Sequence, residues 1–263
     1  LKEAGFSEIY NYSFISEKDK EIFKYKNGEL TEVENPTSLD FQYLRPSLIA
    51  NLLKNVEKNL RNFAEIKIFE LGKIFRGMNK KIEEKRMLTG VITGEAFYQV
   101  KGIVDLLLGK MGISNVWYDS YQPTPEESKC SIWQPKKCAE IKVNHEEIGF
   151  LGEISPRILD NLKIAVRETV FDIDFEKLSK LASEEHEYQP ISRFPSAIRD
   201  LAILVPRETR VEEVLNKIEI AGGSLIRDID LFDMYEGEEL PAGKKNLAFH
   251  IIYQSEDRTL TSE

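Results

Sequence analysis

Ten consecutive residues constrain the fold of this chain more than any others. Residues 183–192 read Ser-Glu-Glu-His-Glu-Tyr-Gln-Pro-Ile-Ser, and the apolar periodicity on either side of them fails there. A polar stretch that offers no regular face to bury marks a boundary between domains. The 263 residues therefore divide into a first domain at 1–182, a linker at 183–192 and a second domain at 193–263.

Beyond the linker the pattern is clean. Residues 199–205 alternate as a strand that Pro206 stops. Residues 211–221 place Val211, Val214, Leu215 and Ile218 on one helical face, and Gly222-Gly223 ends that helix. Residues 225–235 read as a long strand and 236–243 as a turn-rich loop. In 245–254, Leu247, Phe249, Ile251 and Tyr253 alternate against the other face. Strand–helix–strand–strand is the first two-thirds of a split β-α-β-β-α-β unit. The closing run Thr259-Leu260-Thr261-Ser262-Glu263 fits the cap of a second helix, so this domain is expected to be incomplete.

The first domain mixes both periods. Gly5 stops a helix end, and residues 8–14 read as a strand. Ser16-x-x-Asp19 opens a helix to about residue 25, Asn27-Gly28 turns the chain, and Asn35-Pro36 breaks it again. Residues 47–63 form an amphipathic helix with Leu48, Leu52, Leu53, Val56 and Leu60 at spacings of three and four. Strands follow at 66–76, where Gly72 marks a bulge or close approach, and at 87–93. A helix at 100–111 precedes strands at 114–121 and 138–143 around a loop rich in Pro, Gln and Ser. A strand at 147–154, a short helix from Ser155-Pro156, a strand at 169–175 and a helix at 176–181 complete the domain. The class is α+β.

Composition closes off several functions. No apolar run approaches the ~20 residues needed to span a bilayer. No basic, then apolar, leader opens the chain, and the first residue is Leu1, which fits a segment of a longer protein. Cys130 and Cys138 are too far apart for a CxxC pair and read as small apolar side chains in a reducing cytosol. His145, His186 and His250 are scattered, and no HExxH or GxSxG occurs. A protein metal site and a Ser or Cys hydrolase are therefore disfavoured. The net charge of −9 argues against non-specific nucleic-acid binding, which rests on neutralising phosphates with Lys and Arg.

An ordered set of motifs carries a resemblance. In the second domain it is Arg193-Phe-Pro-Ser-Ala-Ile-Arg199-Asp200, then Phe232-Asp-Met-Tyr-Glu-Gly237, Leu240-Pro-Ala-Gly-Lys-Lys-Asn and Asp257-Arg-Thr-Leu-Thr261. In the first it is Gly5-Phe-x-Glu-Ile-x-Asn-Tyr-Ser-Phe14, Leu44-Arg-Pro-Ser-Leu48, Ile68-Phe-Glu-Leu-Gly-Lys-Ile-Phe75, Lys101-Gly102 and Ile148-Gly-x-Leu-Gly-Glu-Ile-x-Pro156. Over essentially its whole length the chain resembles the carboxyl-terminal part of bacterial phenylalanyl-tRNA synthetase β subunits. The resemblance implies a class II synthetase-like domain, an antiparallel sheet with flanking helices, followed by a truncated ferredoxin-fold anticodon-binding domain. It further implies a cytoplasmic enzyme in which a catalytic α subunit uses ATP and magnesium, paired as (αβ)₂ and charging phenylalanine tRNA. This segment would serve as scaffold and anticodon reader, with no cofactor, membrane or DNA partner of its own. The editing module of such subunits lies outside it.

The residues fit a silent first domain. Class II chemistry needs an Arg followed closely by an acid, and a Gly-rich segment ending in Arg. Arg76 is followed by Gly77-Met78-Asn79, Glu153 follows the Gly149-x-x-Gly152 pair, and no GxGxxR string exists. The motif arginines of a self-sufficient ligase for another acid are thus missing. A free-standing RNA-binding or regulatory paralogue is the alternative reading.

Family anticodon contacts carry over to Ala202, Asp233, Tyr235 and Asn246, the last standing where the family commonly has Ser. Tyr235 can stack under a base, and Asp233 can accept from an exocyclic amine or a guanine N–H. Two readings stay open for Arg199, RNA contact or, together with the adjacent Asp200, pairing with sheet neighbours. Two also stay open for Lys244 and Lys245, phosphate contact or a solvated basic pair. Residues 190–263 carry a net charge of −5, so this domain must rely on a few placed contacts rather than a positive field. Residues 54–86 carry +5 and face either tRNA, an acidic partner or solvent.

Overall fold

The computed structural model describes residues 1–26, 28, 30–78, 81–121, 131–144, 146–182, 193–237 and 239–260, and the chain falls into two units, Leu1–His186 and Glu187–Glu263. Asn27, the centre of the Pro/Gln/Ser-rich loop, Cys130, His145, the 183–192 linker with His186, and the last three residues lie outside the described residues.

The first unit begins with a 3₁₀ turn at Lys2–Ala4, which Gly5 ends with φ 86°. Two short strands follow, β1 (Ser7–Glu8) and β2 (Phe14–Ile15), then helix α1 (Glu17–Phe23). The capping box expected at Ser16 and Asp19 is present, with each side chain bonded to the other's backbone N–H. Next come β3 (Tyr43–Leu44), α2 (Ile49–Asn59), β4 (Lys67–Met78), β5 (Lys81–Thr93) and α3 (Phe97–Lys110). The unit continues through β6 (Val116–Ser120), β7 (Trp133–Val143), β8 (Glu146–Ile154), α4 (Pro156–Leu162), β9 (Glu168–Asp174) and α5 (Phe175–Leu181).

Seven strands form one sheet in the order β1-β4-β5-β9-β8-β7-β6. The expected antiparallel sheet is corrected at one edge, where β1 runs parallel to β4; every other neighbour is antiparallel. Both faces are buried. Helices α1, α2 and α4 close one face through Phe23, Leu52, Leu53 and Ile158, and α3 and α5 close the other through Val100, Val104, Leu108 and Leu178. Alternation on β9 serves the two cores in turn, Val170 toward the first and Phe171 and Ile173 toward the second. A fully buried Leu or Ile contributes about 1.5–3 kcal/mol, so this double core dominates the unit's stability.

The strand expected at 8–14 is broken, and a buried ion pair is the reason. Arg45 donates from Nη1 to Glu70 Oε1 at 2.7 Å and from Nε to the Lys73 carbonyl at 3.0 Å. Glu70 also accepts from the Asn11 side chain at 2.7 Å and the Asn11 backbone N–H at 3.3 Å. Past Ile9, whose N–H still donates to the Phe69 carbonyl, the chain leaves the ladder and Asn11 turns to that carboxylate, which is 1% exposed. Gly72 is the close approach its position suggests, since a Cβ there would lie 2.5 Å from Arg45 Nη2.

The second unit contains β10 (Ala197–Pro206), α6 (Val211–Gly222), β11 (Ile226–Tyr235) and β12 (Lys244–Tyr253). Its sheet order is β10-β12-β11, antiparallel throughout. That is the order expected of the first three strands of a ferredoxin-like unit. Val214 of α6 and Leu247, Phe249 and Ile251 of β12 form its core.

Candidate nucleic-acid interface

Helix α6 covers one face of the three-stranded sheet. Residues in register across antiparallel strands share a face, so the partners of buried Leu247, Phe249 and Ile251 point toward the helix and the residues between them point away. The opposite face begins with the row Ile198, Ile252 and Asp228 and continues through three more before Pro206 and Lys244. Asp200, His250 and Asp230 form the first of those three, Ala202, Ala248 and Asp233 the second, and Leu204, Asn246 and Tyr235 the third.

Ala202, Asp233, Tyr235 and Asn246 thus meet on one surface, Asp233 and Tyr235 through their two-residue spacing and the other two through cross-strand register. Asp233 and Tyr235 reach it by way of a β-bulge between Leu231 and Asp233, which puts Phe232 and Asp233 side by side on the same face. Tyr235 remains 44% exposed. Its ring lies over Gly237, where a Cβ would stand 2.2 Å from the tyrosine hydroxyl. Lys244 is exposed at the end of the same face, opposite Pro206.

Two candidate residues lie elsewhere. Arg199 is in register with Ile251 and belongs to the helix side, where its Nη1 donates to the Ile198 carbonyl at 2.9 Å. Lys245 pairs with Val205, also on the helix side, and is buried. Period-two geometry forces both results, because each is one residue away from a position on the uncovered face. The Lys244-Lys245 pair is therefore split between faces.

Sequence reasoning passed over His250 and Phe232 as site residues, while Asp200 pairs with a sheet neighbour. The His250 Nδ1 lies 2.7 Å from Asp200 Oδ1, and the His250 ring stacks on Phe232 with centroids 3.9 Å apart and planes 13° from parallel. Asp200 and His250 are fifty positions apart. Cross-strand register, not local spacing, brings them together.

The first unit has a cavity of about 410 Å³ on the α1/α2 face of its sheet, walled by Tyr25, Trp133 and Phe150. Arg76 is the one cation among the described lining residues, and Asp172 is its carboxylate. Burial pushes the Asp172 carboxyl up to about 6, while the Thr89 hydroxyl and Arg76 pull it back down. At neutral pH the cavity therefore pairs one positive with one negative group. A nucleoside triphosphate needs several converging cations, and these residues do not fit one. The Cys138 thiol is buried and its pKa is raised by that burial. Among the described residues no cluster of His, Cys, Asp or Glu is set to hold a metal ion, and no helix is long and apolar enough to cross a membrane.

Known proteins show the same two-part arrangement. The family model for the phenylalanyl tRNA synthetase beta chain CLM domain matches residues 1–175, and that for the ferredoxin-fold anticodon binding domain matches 192–263. The chain is 30% identical to the phenylalanine–tRNA ligase β subunit of Clostridium acetobutylicum, over 100% of this chain and 34% of that protein. It is 34% identical to that of Bacillus thuringiensis, again over 100% of this chain and 34% of the relative. The chain therefore spans about a third of the length of the curated relatives it matches. Pyrrolysyl-tRNA synthetase from Desulfitobacterium hafniense shares the fold with a TM-score of 0.55 at 16% identity, over 68% of this chain and 64% of that one.

Proposed function

The chain belongs to the phenylalanyl-tRNA synthetase β-chain family, and on that premise we propose that it is the part of the β subunit that supports a catalytic α subunit and reads the anticodon of phenylalanine tRNA. The first unit acts as a class II-like scaffold. ATP and magnesium chemistry belongs to the α subunit, in a cytoplasmic (αβ)₂ enzyme that ligates phenylalanine to its tRNA. The charge-paired Arg76–Asp172 cavity supports that division of labour.

The observation that carries the reading is the uncovered sheet face with Ala202, Asp233, Tyr235 and Asn246 on it. Unstacked bases of an RNA loop are recognised by aromatic stacking and by hydrogen bonds to their edges. Tyr235 offers the ring, Asp233 accepts base N–H groups, and the Asn246 amide both donates and accepts. Asp200, Asp228, Asp230 and Asp233 all belong to this face. Their charge repels phosphates, so the loop must turn its bases to the sheet and its backbone outward. Lys244 stands where that backbone passes the rim.

The test is Tyr235→Ala in the reconstituted holoenzyme. Loss of a base stack costs about 1–3 kcal/mol, so the aminoacylation KM for tRNA rises accordingly. A tRNA with a swapped anticodon loses that sensitivity. An unchanged KM with the native tRNA would show that Tyr235 only packs against its neighbours.

A further inference from the structure

Opposite Tyr235, across the same face, stands a second aromatic group. We propose that the Phe232–His250 stack is the other wall of a base-binding slot, with Ala202 and Ala248 as its floor, and that the slot holds an unstacked nucleobase presenting amino or imino N–H groups. The proposal rests on the anticodon reading and adds to it the residues that close the site.

Three observations carry it. The first is the floor. Ala202 and Ala248 are in register in the central row, so a planar ring can descend to the sheet there and nowhere else along these rows. Rows two residues apart lie about 6.6–6.8 Å from each other. A base over the alanine row then stands one row from His250 and one row from Tyr235.

The second is the bulge. In an unbroken ladder a strand shows every other side chain to one face, yet here Phe232 and Asp233 both face outward. The bulge therefore sets an aromatic ring, 48% exposed, directly beside the carboxylate that meets the base edge. Large apolar side chains left in solvent beside a polar recognition group mark contact surfaces.

The third is the anchoring of His250. Its Nδ1 contact to Asp200 at 2.7 Å fixes the ring plane parallel to Phe232. A carboxylate accepts only, so the hydrogen of this contact sits on Nδ1. Asp233, in register with Ala248 at the floor, is an acceptor, and the Asn246 amide of the next row both accepts and donates. The Asp233 carboxylate at the floor favours base edges that present N–H donors. Guanine, with an adjacent imino and amino donor, fits Asp233 in a bidentate way; uracil, with one imino donor between two carbonyls, does not.

The experiment uses the holoenzyme reconstituted from the α chain and the full-length β chain, with Phe232→Ala, Phe232→Tyr and Tyr235→Ala compared. Phe232→Ala should lower kcat/KM for native tRNA roughly five- to a hundredfold, the range of one lost base stack. Phe232→Tyr keeps a ring and should stay within about twofold of wild type, on the same stacking argument. A fluorescent purine analogue in the anticodon should be quenched on binding wild type and not on binding Phe232→Ala. If Tyr235→Ala lowers kcat/KM but Phe232→Ala does not, the second wall is overturned and the anticodon reading stands. If neither substitution has an effect, the anticodon reading itself fails. An equal Phe232→Ala defect on a tRNA fragment lacking the anticodon arm would also overturn the proposal, because lost folding rather than a lost base contact would then be the cause.

Discussion

Glu168 opens β9 fully buried, and neither of its carboxylate oxygens has a hydrogen-bond partner among the described residues. Burial pushes its carboxyl up to about 8, so it is held uncharged at neutral pH. Unfolded, it returns to about 4.3. Between those values the folded chain binds more protons than the unfolded one, so stability is highest below about pH 4.3 and is lost as pH rises toward 8. The slope reaches at most about 1.4 kcal/mol per pH unit. Asp172, raised to about 6, adds a slope of the same sign that ends near its own pKa. Glu168→Gln should flatten the upper window and raise the urea midpoint at pH 8. Equal slopes for variant and wild type would show that Glu168 ionises normally. Arg199 gives a second test at this scale. On the helix side of its sheet it cannot touch a base on the other, so Arg199→Ala should leave the tRNA KM unchanged while Tyr235→Ala raises it. The spacing of Asp233 and Tyr235 made their shared face legible in the sequence, and the same period-two rule, applied to Arg199 and Lys245, sets those two on the far side. His250 was not legible, because its partners Asp200 and Phe232 come from two other strands.

At the scale of elements, periodic runs and end signals were readable, and segments whose conformation serves a distant partner were not. The capping box at Ser16 is local chemistry and formed as the sequence indicates. The helix read over 47–63 is shorter, Ile49–Asn59, and ends at the C-cap Leu60, whose side chain still packs against the core. Residues 8–14 alternate well enough to suggest a strand, yet Asn11 turns aside to Glu70, 59 positions away. Nothing in 8–14 alone announces that carboxylate. The network predicts an asymmetric response. Arg45→Met leaves Glu70 charged and buried without its main partner and should cost about 3–5 kcal/mol. Replacing both Arg45 and Glu70 with apolar residues of similar volume should recover most of that loss, since well-packed hydrophobes often match a buried pair. Urea unfolding of the two variants decides it; if the double replacement is as damaging as the single one, the pair is holding residues 9–13 in place through more than charge compensation. Gly72→Ala belongs to the same network, because its Cβ would strike the Arg45 guanidinium.

At the scale of the whole molecule, charge decides how the second unit can work. The chain carries −9, and residues 190–263 carry −5, with aspartates on the face that the tRNA reading requires. A surface of that sign gains nothing from counterion release over most of its area. Affinity at this face must come from stacking and from base-edge hydrogen bonds, which salt screens little, while Lys244 at the rim contributes by charge, which salt screens strongly. The two kinds of contact should therefore separate in one titration. The factor by which Tyr235→Ala raises the tRNA KM should be the same at 50 and 200 mM salt, to within about twofold, because a lost stack costs roughly the same free energy in both. The factor for Lys244→Ala should shrink toward one over the same range, as a lost phosphate contact does. If both factors shrink together, the face binds through the backbone of the RNA, and the acidic sheet is a barrier the complex overcomes elsewhere. If the Tyr235 factor holds while the Lys244 factor falls, the negative charge acts as a filter that leaves only correctly presented bases able to dock.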